Sequence, residues 1–250
     1  MKNILFLILF LFSHNSFAQK KSIWLGIQAG LAYNNFYLAN PNNETLKTLA
    51  TPGIDIGANL EYRFSKQLGV EAGFRYTELY MNVVMTTQDK AYSYDYTPGF
   101  GETTSFPINL VGRLHLSTNR AFLISKVGLA FFQREAYTNS YTMFQASVVP
   151  LSGVGISVAG TTYETRSINE KGFLLAGSIG LEGRFLRKGN IRLMLSHSFS
   201  PVNVMQWNYA YVINNEPVRY ETIYSRLRNT AVSVHISFPL LSFGKEAKLF

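Results

Sequence analysis

Residues 54–64 read IDIGANLEYRF, and after a break at Ser65-Lys66-Gln67 the chain continues with LGVEAGFRYT at residues 68–77. In both segments large apolar residues alternate with glycine, asparagine, threonine or charged residues, so each segment has an apolar and a polar face. Successive side chains of a β-strand point to opposite faces of the sheet. This period of two therefore predicts two antiparallel strands joined by a tight turn.

The same alternation recurs along the chain and predicts eight strands and no helix. The six further strands cover residues 23–33, 106–116, 121–131, 173–185, 191–199 and 230–238. Residues 148–158 could form an additional hairpin around Pro150, so ten strands is the alternative count. Pro107 lies inside one predicted strand, where it removes a hydrogen-bond donor, and we expect a bulge or a neighbouring water there.

Short and long connections alternate between these strands. The short ones are residues 65–67, 117–120 and 186–190, and the long ones are about 34–52, 82–104, 134–171 and 200–224. An outer-membrane barrel has this alternation because its short turns face the periplasm and its long loops face outside. We therefore predict an all-β fold, a closed antiparallel up-and-down transmembrane β-barrel with both termini on the periplasmic side.

Composition agrees with a barrel in lipid. The 250 residues are 47% hydrophobic and only 15% charged, whereas a soluble domain carries about 25% charged residues. The mean hydropathy is nevertheless only +0.03, and one lipid-facing and one polar face on each strand account for this balance. Aromatic residues near the strand ends predict girdles at the two membrane interfaces: Trp24, Tyr33, Phe64, Tyr76, Phe106, Phe131, Phe185, Phe199 and Phe238.

The N-terminus has the pattern of a secretory signal peptide. A basic start at Lys2 precedes nine apolar residues, 4–12, and Ser16-Phe17-Ala18 forms a small-x-small cleavage pattern. We predict a signal peptide at residues 1–18 and a barrel domain at 19–250, with a membrane anchor as the alternative. Loss of Lys2 lowers the formal net charge from +8 to +7. The basic residues form no clustered face, so no nucleic-acid partner is expected.

The polar faces predict a charged lumen. The interior of an eight-stranded barrel is just wide enough for side chains to fill it. Most of the charged residues that face inward fall beside the short turns. The candidate cluster consists of Glu61, Arg63, Glu71, Arg75, Arg113, Glu182, Arg184 and Arg192. It is either a self-neutralising plug, since unpaired buried charge is costly, or a narrow ion or proton path.

No catalytic, cofactor or metal site is predicted. His115, His197 and His235 lie within predicted strands at spacings that no metal motif uses, and the long loops contain no histidine. Cysteine is absent, which excludes a disulfide framework and a thiolate zinc site. The loops are rich in tyrosine, as at residues 92–96, and two interpretations stay open: a binding surface, or strands that continue above the membrane.

Three stretches carry a family resemblance: Ser16-Phe17-Ala18-Gln19, SFPINL at 105–110, and residues 177–184 with IRLMLSHSFSPVNV at 191–204. With these stretches the chain resembles the PorT-like outer-membrane β-barrel proteins typical of the Bacteroidetes group. The resemblance implies a protein embedded in outer-membrane lipid, without enzymatic activity. Its expected role is structural, or that of an accessory subunit that presents long loops to a protein partner or ligand, in some members for secretion. A small channel or transport protein is the alternative, and an enzyme with its site at the rim is a third hypothesis.

Overall fold

The computed structural model describes residues 21–40, 46–87, 90–94, 101–116, 121–134, 138–139, 142–148, 156–185, 189–213 and 217–243. The predicted signal peptide, residues 1–18, lies outside the described residues, and its cleavage stays a prediction. All regular elements in the described part of the chain are β-strands. Within that part, no helix is long and apolar enough to cross a membrane.

Fourteen strands form one antiparallel sheet, and eight of them close into a ring. In ring order these eight are β1 (Lys21–Leu38), β2 (Leu46–Arg63), β3 (Leu68–Leu79), β6 (Gly101–His115), β7 (Ala121–Gln133), β11 (Lys171–Phe185), β12 (Gly189–Phe199) and β14 (Arg219–Phe243). The ring closes where β1 pairs with β14, from Lys21 opposite Phe243 to Leu38 opposite Ile223. The closed eight-stranded barrel predicted from the alternation is confirmed.

The remaining six strands continue the sheet beyond the ring, at the end that carries the long connections. They are β4 (Met81–Thr87), β5 (Lys90–Tyr94), β8 (Thr138–Asn139), β9 (Thr142–Val148), β10 (Ile156–Ser167) and β13 (Met205–Ile213). We call these six strands, with the ends of β2 and β14 that pair with them, the extension. The predicted hairpin around Pro150 exists, since Val148 pairs with Ile156, but it belongs to the extension and leaves eight strands in the ring.

Tyrosine-rich connections contribute to the extension as strands. The segment after residue 89 forms β5 as far as Tyr94, and residues 95–100 lie outside the described residues. Around residues 214–217, the end of β13 pairs with β14, with Tyr211 opposite Arg219. Strand continuation is therefore confirmed at both places, while a binding role for these connections stays a prediction.

The outer wall of the ring is apolar and its inner wall is polar. Outward side chains such as Ile27, Ile108, Val127 and Phe173 are 61–64% exposed. Pairing sets them in rows, for example Leu31 of β1 opposite Val232 of β14 and Val232 opposite Leu195 of β12. Such continuous exposed apolar area is expected where the solvent is lipid, because a water-soluble protein rarely exposes a large apolar patch.

Three local expectations are corrected. Of the two alternatives for Pro107, the bulge is wrong: Ala72 pairs with Ile108 and Arg75 with Ser105, so the register of β3 and β6 is the same on both sides. A neighbouring water stays a prediction. The last strand continues past Phe238 to Phe243, because its end still pairs with β1. Trp24 belongs to no outer girdle, since its ring lies 3.8 Å from the guanidinium carbon of Arg63, an inward-facing residue.

A bulge divides β14 into two parts. Asn35 pairs with Arg228 and Phe36 with Ser225, so residues 226 and 227 have no opposite residues in β1. Leu227 adopts a positive φ of 50°, a left-handed conformation that costs a residue with a Cβ about 1–2 kcal/mol. Its side chain is nevertheless almost fully buried, and this burial compensates for the strain.

We expect Leu227→Gly to be more stable than Leu227→Ala, the reverse of the usual order in a strand. Both variants lose the buried side chain, at a cost of about 2–5 kcal/mol. Only glycine also relieves the left-handed strain, which returns about 1 kcal/mol. Urea unfolding of the refolded barrel in detergent measures the difference. Equal or reversed stabilities would contradict strain at this bulge.

Gly128 of β7 lies where the backbones of β7 and β6 approach each other closely. A Cβ at this position would overlap the carbonyl oxygen of Ile108 and the side chain of Asn109 on β6. We expect Gly128→Ala to destabilise the barrel by about 1–3 kcal/mol, because crowding forces backbone shifts. Gly183→Ala is the matched control, since a Cβ there has no heavy atom within 4 Å. Equal urea midpoints for the two variants would contradict this explanation.

Candidate functional site: a filled lumen

The lumen at the short-turn end contains a buried ion-pair network. Three carboxylates, Glu61 of β2, Glu71 of β3 and Glu182 of β11, contact four cations from four strands: Arg63, Arg113, Lys126 and Arg192. We call these seven residues the lumen network. They meet because each occupies an inward position of its strand, and the ring turns all inward positions toward one axis.

Arg192 is the centre of the lumen network, because it contacts all three carboxylates. Its Nε lies 2.6 Å from Glu182, its Nη2 2.5 Å from Glu61 and its Nη1 3.3 Å from Glu71. The side chain is 1% exposed. A guanidinium presents five donors in a rigid plane, which allows one side chain to serve three acceptors.

The other cations complete the shell around the carboxylates. Arg113 donates to both Glu61 and Glu182, the latter from Nε at 3.2 Å. Lys126 donates to both oxygens of Glu71, at 2.7 and 2.8 Å. Arg63 contacts Glu61 at 3.1 Å and stacks on Trp24 near the mouth of the barrel. Four cations against three carboxylates leave one positive charge in excess, and Arg63, the most exposed of them, lies closest to solvent.

Two residues of the predicted cluster lie elsewhere. Arg75 forms a separate pair with Asp55, with its Nε 2.5 Å and its Nη2 2.9 Å from the carboxylate oxygens, and Thr77 also donates to Asp55. Arg184 is exposed beside the turn after β11, two residues beyond Glu182, so its expected place in the cluster is wrong. Lys126 is the cation that the predicted cluster lacked, although the alternation places it on the inward face of β7.

A small polar cavity of about 40 Å³ lies in the lumen beside the network. Its lining includes Asn59, Asn109, Ser196 and His235. A cavity of this size holds a few water molecules at most. The ring of His235 is buried, and its Nε2 lies 2.9 Å from the Ser233 hydroxyl.

Apolar side chains close the lumen at the long-loop end. Phe132 and Leu174 from the ring pack with residues of the extension, and Phe36 meets Trp207 edge to face at a centroid distance of 5.3 Å. We call this group the apolar cap; it consists of Phe36, Ala130, Phe132, Leu174, Val204, Met205, Trp207, Tyr211, Ile223 and Leu227. The apolar cap was not predicted from the sequence, although the consecutive aromatic residues Phe131 and Phe132 indicate a strand that is apolar on both faces.

The three histidines lie apart from one another in environments without a ligand set. His115 is exposed against the ring of Phe122, His197 faces outward beside Thr230, and His235 faces the lumen. Among the described residues, no group of three or more His, Asp or Glu side chains could hold a metal ion. The ion pairs of the lumen network neutralise charge within the protein.

We expect Arg192→Met to destabilise the barrel by about 3–5 kcal/mol, because it leaves buried carboxylates without their shared cation. Arg184→Met is the matched control on the same hairpin: it removes the same charge from an exposed site and changes stability by less than about 0.5 kcal/mol. Urea unfolding in detergent, followed by heat-modifiable gel mobility, compares the two. Similar losses for both variants would contradict a structural role of the network.

Comparison with solved structures finds other outer-membrane barrels. OprG from Pseudomonas aeruginosa is 11% identical over 88% of this chain and 98% of its own, with a TM-score of 0.46. Neisserial surface protein A is 10% identical over 87% and 97%, also with a TM-score of 0.46. Ail from Yersinia pestis is 13% identical over 89% and 100%, with a TM-score of 0.33. None of these similarities indicates a function, and no curated protein matches the chain.

The family assignment rests on a match to a family model and not on any single solved structure. The model of the outer membrane protein beta-barrel domain matches residues 4–198, which is more than half of the chain. The short turns of such a barrel face the periplasm and the long connections face outside. The lumen network therefore lies toward the periplasm, and the extension projects from the cell. This chain belongs to the outer membrane β-barrel domain family, and it resides in the outer membrane.

Proposed function

We propose that this protein is a non-enzymatic accessory subunit whose barrel anchors the extension and presents it to a protein partner outside the cell. The observation that carries the proposal is the combination of a filled lumen with a sheet that continues far beyond the membrane. The two features leave the outer surface as the part of the molecule available for interaction.

The contents of the lumen support anchoring rather than passage. The lumen network and the apolar cap occupy the two ends of the barrel, with a cavity of about 40 Å³ between them. Moving an ion through this interior would require breaking ion pairs whose members are almost fully buried, and that is costly. We therefore interpret the network as a plug.

The length of the strands supports a projecting surface. A tilted strand crosses the bilayer in about 9–11 residues, whereas β14 has 25 residues and β1 and β2 have 18 each. At about 3.3 Å per residue, the excess in β14 spans several tens of ångströms of strand. Sheet of this kind is rigid, and it can hold a binding surface at a set distance from the membrane.

Exposed apolar side chains lie in the extension and directly beside its strands. Tyr220 is 70% exposed, Val218 50% and Ile168 42%. An exposed tyrosine beside aliphatic residues is typical of a surface that another protein covers, since tyrosine provides contact area at a low cost in side-chain entropy. The resemblance to PorT-like proteins makes a secretion-related partner our specific prediction.

Site-specific photo-crosslinking in cells tests the accessory role. A photoreactive residue at position 220 should give a crosslinked protein adduct of defined mass, because the proposal places Tyr220 at the partner interface. The matched control is position 127, which is 64% exposed but faces lipid. Absence of a protein adduct at 220, or an adduct at both positions, would contradict the proposal.

A channel is the competing function, and planar-bilayer recording separates it from the plug. We expect the wild-type barrel to show no steady conductance. Glu71→Ala combined with Arg113→Ala removes one anion and one cation, so the net charge is kept while buried contacts to Lys126, Arg192, Glu61 and Glu182 are lost. Conductance of this variant above that of the wild-type protein would show that the lumen network, and not the apolar cap alone, blocks the lumen. Steady ion flow through the wild-type protein would overturn the plug and favour transport.

A further inference from the structure

A basic depression lies on the outer wall of the barrel where the apolar surface ends. It is formed by residues of β1, β12 and β14 around the bulge of β14 and has a volume of about 650 Å³. We call it the outer basic site; it is lined by Asn35, Phe36, Tyr37, His197, Phe199, Arg226 and Arg228.

Strand pairing places the outer basic site at a defined height. In the apolar wall, Leu31, Val232 and Leu195 form one row, and each is about half exposed. The next outward row contains Tyr33, Thr230 and His197. The row above that contains Asn35 and Arg228. The change from aliphatic to aromatic and then to cationic side chains marks the interface between hydrocarbon and headgroups.

The Arg226 side chain of this site is held in position by neighbouring side chains. Arg226 donates from Nε to Asn203 at 3.1 Å, and its guanidinium carbon lies 5.4 Å from the centroid of the Tyr37 ring. The Tyr37 hydroxyl donates to the same oxygen of Asn203. Because Nε carries the internal hydrogen bond and the side chain is exposed, the two terminal amino groups of the guanidinium are available to an outside ligand.

The charge of the site lacks an internal counterion. Arg226 and Arg228 are both exposed, and among the described residues no carboxylate lies within salt-bridge distance of either. Elsewhere in this barrel, the inward arginines of the lumen network are paired with carboxylates. Two guanidinium groups without a counterion at a membrane surface attract anionic headgroups.

We propose that the outer basic site binds the phosphate-bearing headgroup of a lipid in the outer leaflet. Arg226 and Arg228 would clamp the phosphate, since guanidinium groups form paired hydrogen bonds with its oxygens. Phe199 and the aliphatic row below His197, with Leu31, Leu195 and Val232, would contact the acyl chains. An apolar wall beneath the cations favours a lipid over a free anion, because the site then matches both ends of a lipid molecule.

The proposal is tested with refolded protein in a non-ionic detergent and lipid A as the probe, detected by native mass spectrometry. We expect a lipid adduct whose affinity falls at least about tenfold in the double variant Arg226→Gln/Arg228→Gln. The double variant Lys21→Gln/Arg184→Gln is the matched control, because it removes two exposed charges from the periplasmic end. It should bind like the wild-type protein.

Two further binding measurements identify the part of the ligand that is recognised. Lipid A from which the phosphates have been removed should bind the wild-type barrel as weakly as lipid A binds the Arg226→Gln/Arg228→Gln variant. Inorganic phosphate at millimolar concentration should not displace lipid A. Full displacement by phosphate would show an anion site rather than a lipid site and would overturn the proposal, as would equal losses in both double variants.

A separate measurement checks that each variant folds before its binding is compared. Heat-modifiable gel mobility establishes that each variant forms the barrel, and Arg226→Lys/Arg228→Lys provides a second measurement. This variant keeps both charges but loses the paired geometry of the guanidinium, so its affinity should lie between the wild-type and glutamine values. Wild-type affinity in the glutamine variant, once folding is established, would contradict the site.

Discussion

The structure depends on the requirement that every backbone N–H and C=O in the hydrocarbon region finds a partner within the protein. In this chain the requirement is met by the pairing of β1 with β14, which removes the two edges that an open sheet would expose to lipid. Closure with eight strands then sets the width of the interior. A lumen this narrow must be filled by side chains, so the choice of inward residues follows from the ring.

The side chains that fill the lumen change from charged to apolar along the barrel axis. Toward the periplasm it consists of ion pairs centred on Arg192, and toward the outside it consists of aromatic and aliphatic side chains. The two faces of β14 exchange polarity accordingly. In the membrane, Ser233 and His235 face inward and Val232 faces lipid, whereas above it Ile223 faces inward and Arg226 faces outward. The bulge with Leu227 lies at this exchange.

This inversion follows from the change of solvent. In the bilayer the outside of the sheet must be apolar, and the interior receives the polar residues. Above the bilayer water surrounds the sheet, so the apolar side chains turn inward as in a soluble β-protein. The two surfaces to which we assign interactions, the extension and the outer basic site, lie above and at this boundary. A barrel with a closed interior interacts with other molecules through these outer surfaces.

The sequence by itself determined the eight strands of the ring and their inward faces, because the period of two is a local property of the chain. It left ten strands open as an alternative, and the structure decided for eight in the ring. It also identified Glu61, Glu71, Glu182, Arg113 and Arg192 as lumen residues from their positions in the alternation. Only the tertiary structure decided which of them meet. It paired Arg75 with Asp55, left Arg184 exposed and added Lys126, because these contacts join strands whose stagger the sequence does not state. The apolar cap and the outer basic site likewise depend on where β14 changes its partner from β12 to β13, a choice made by long-range pairing.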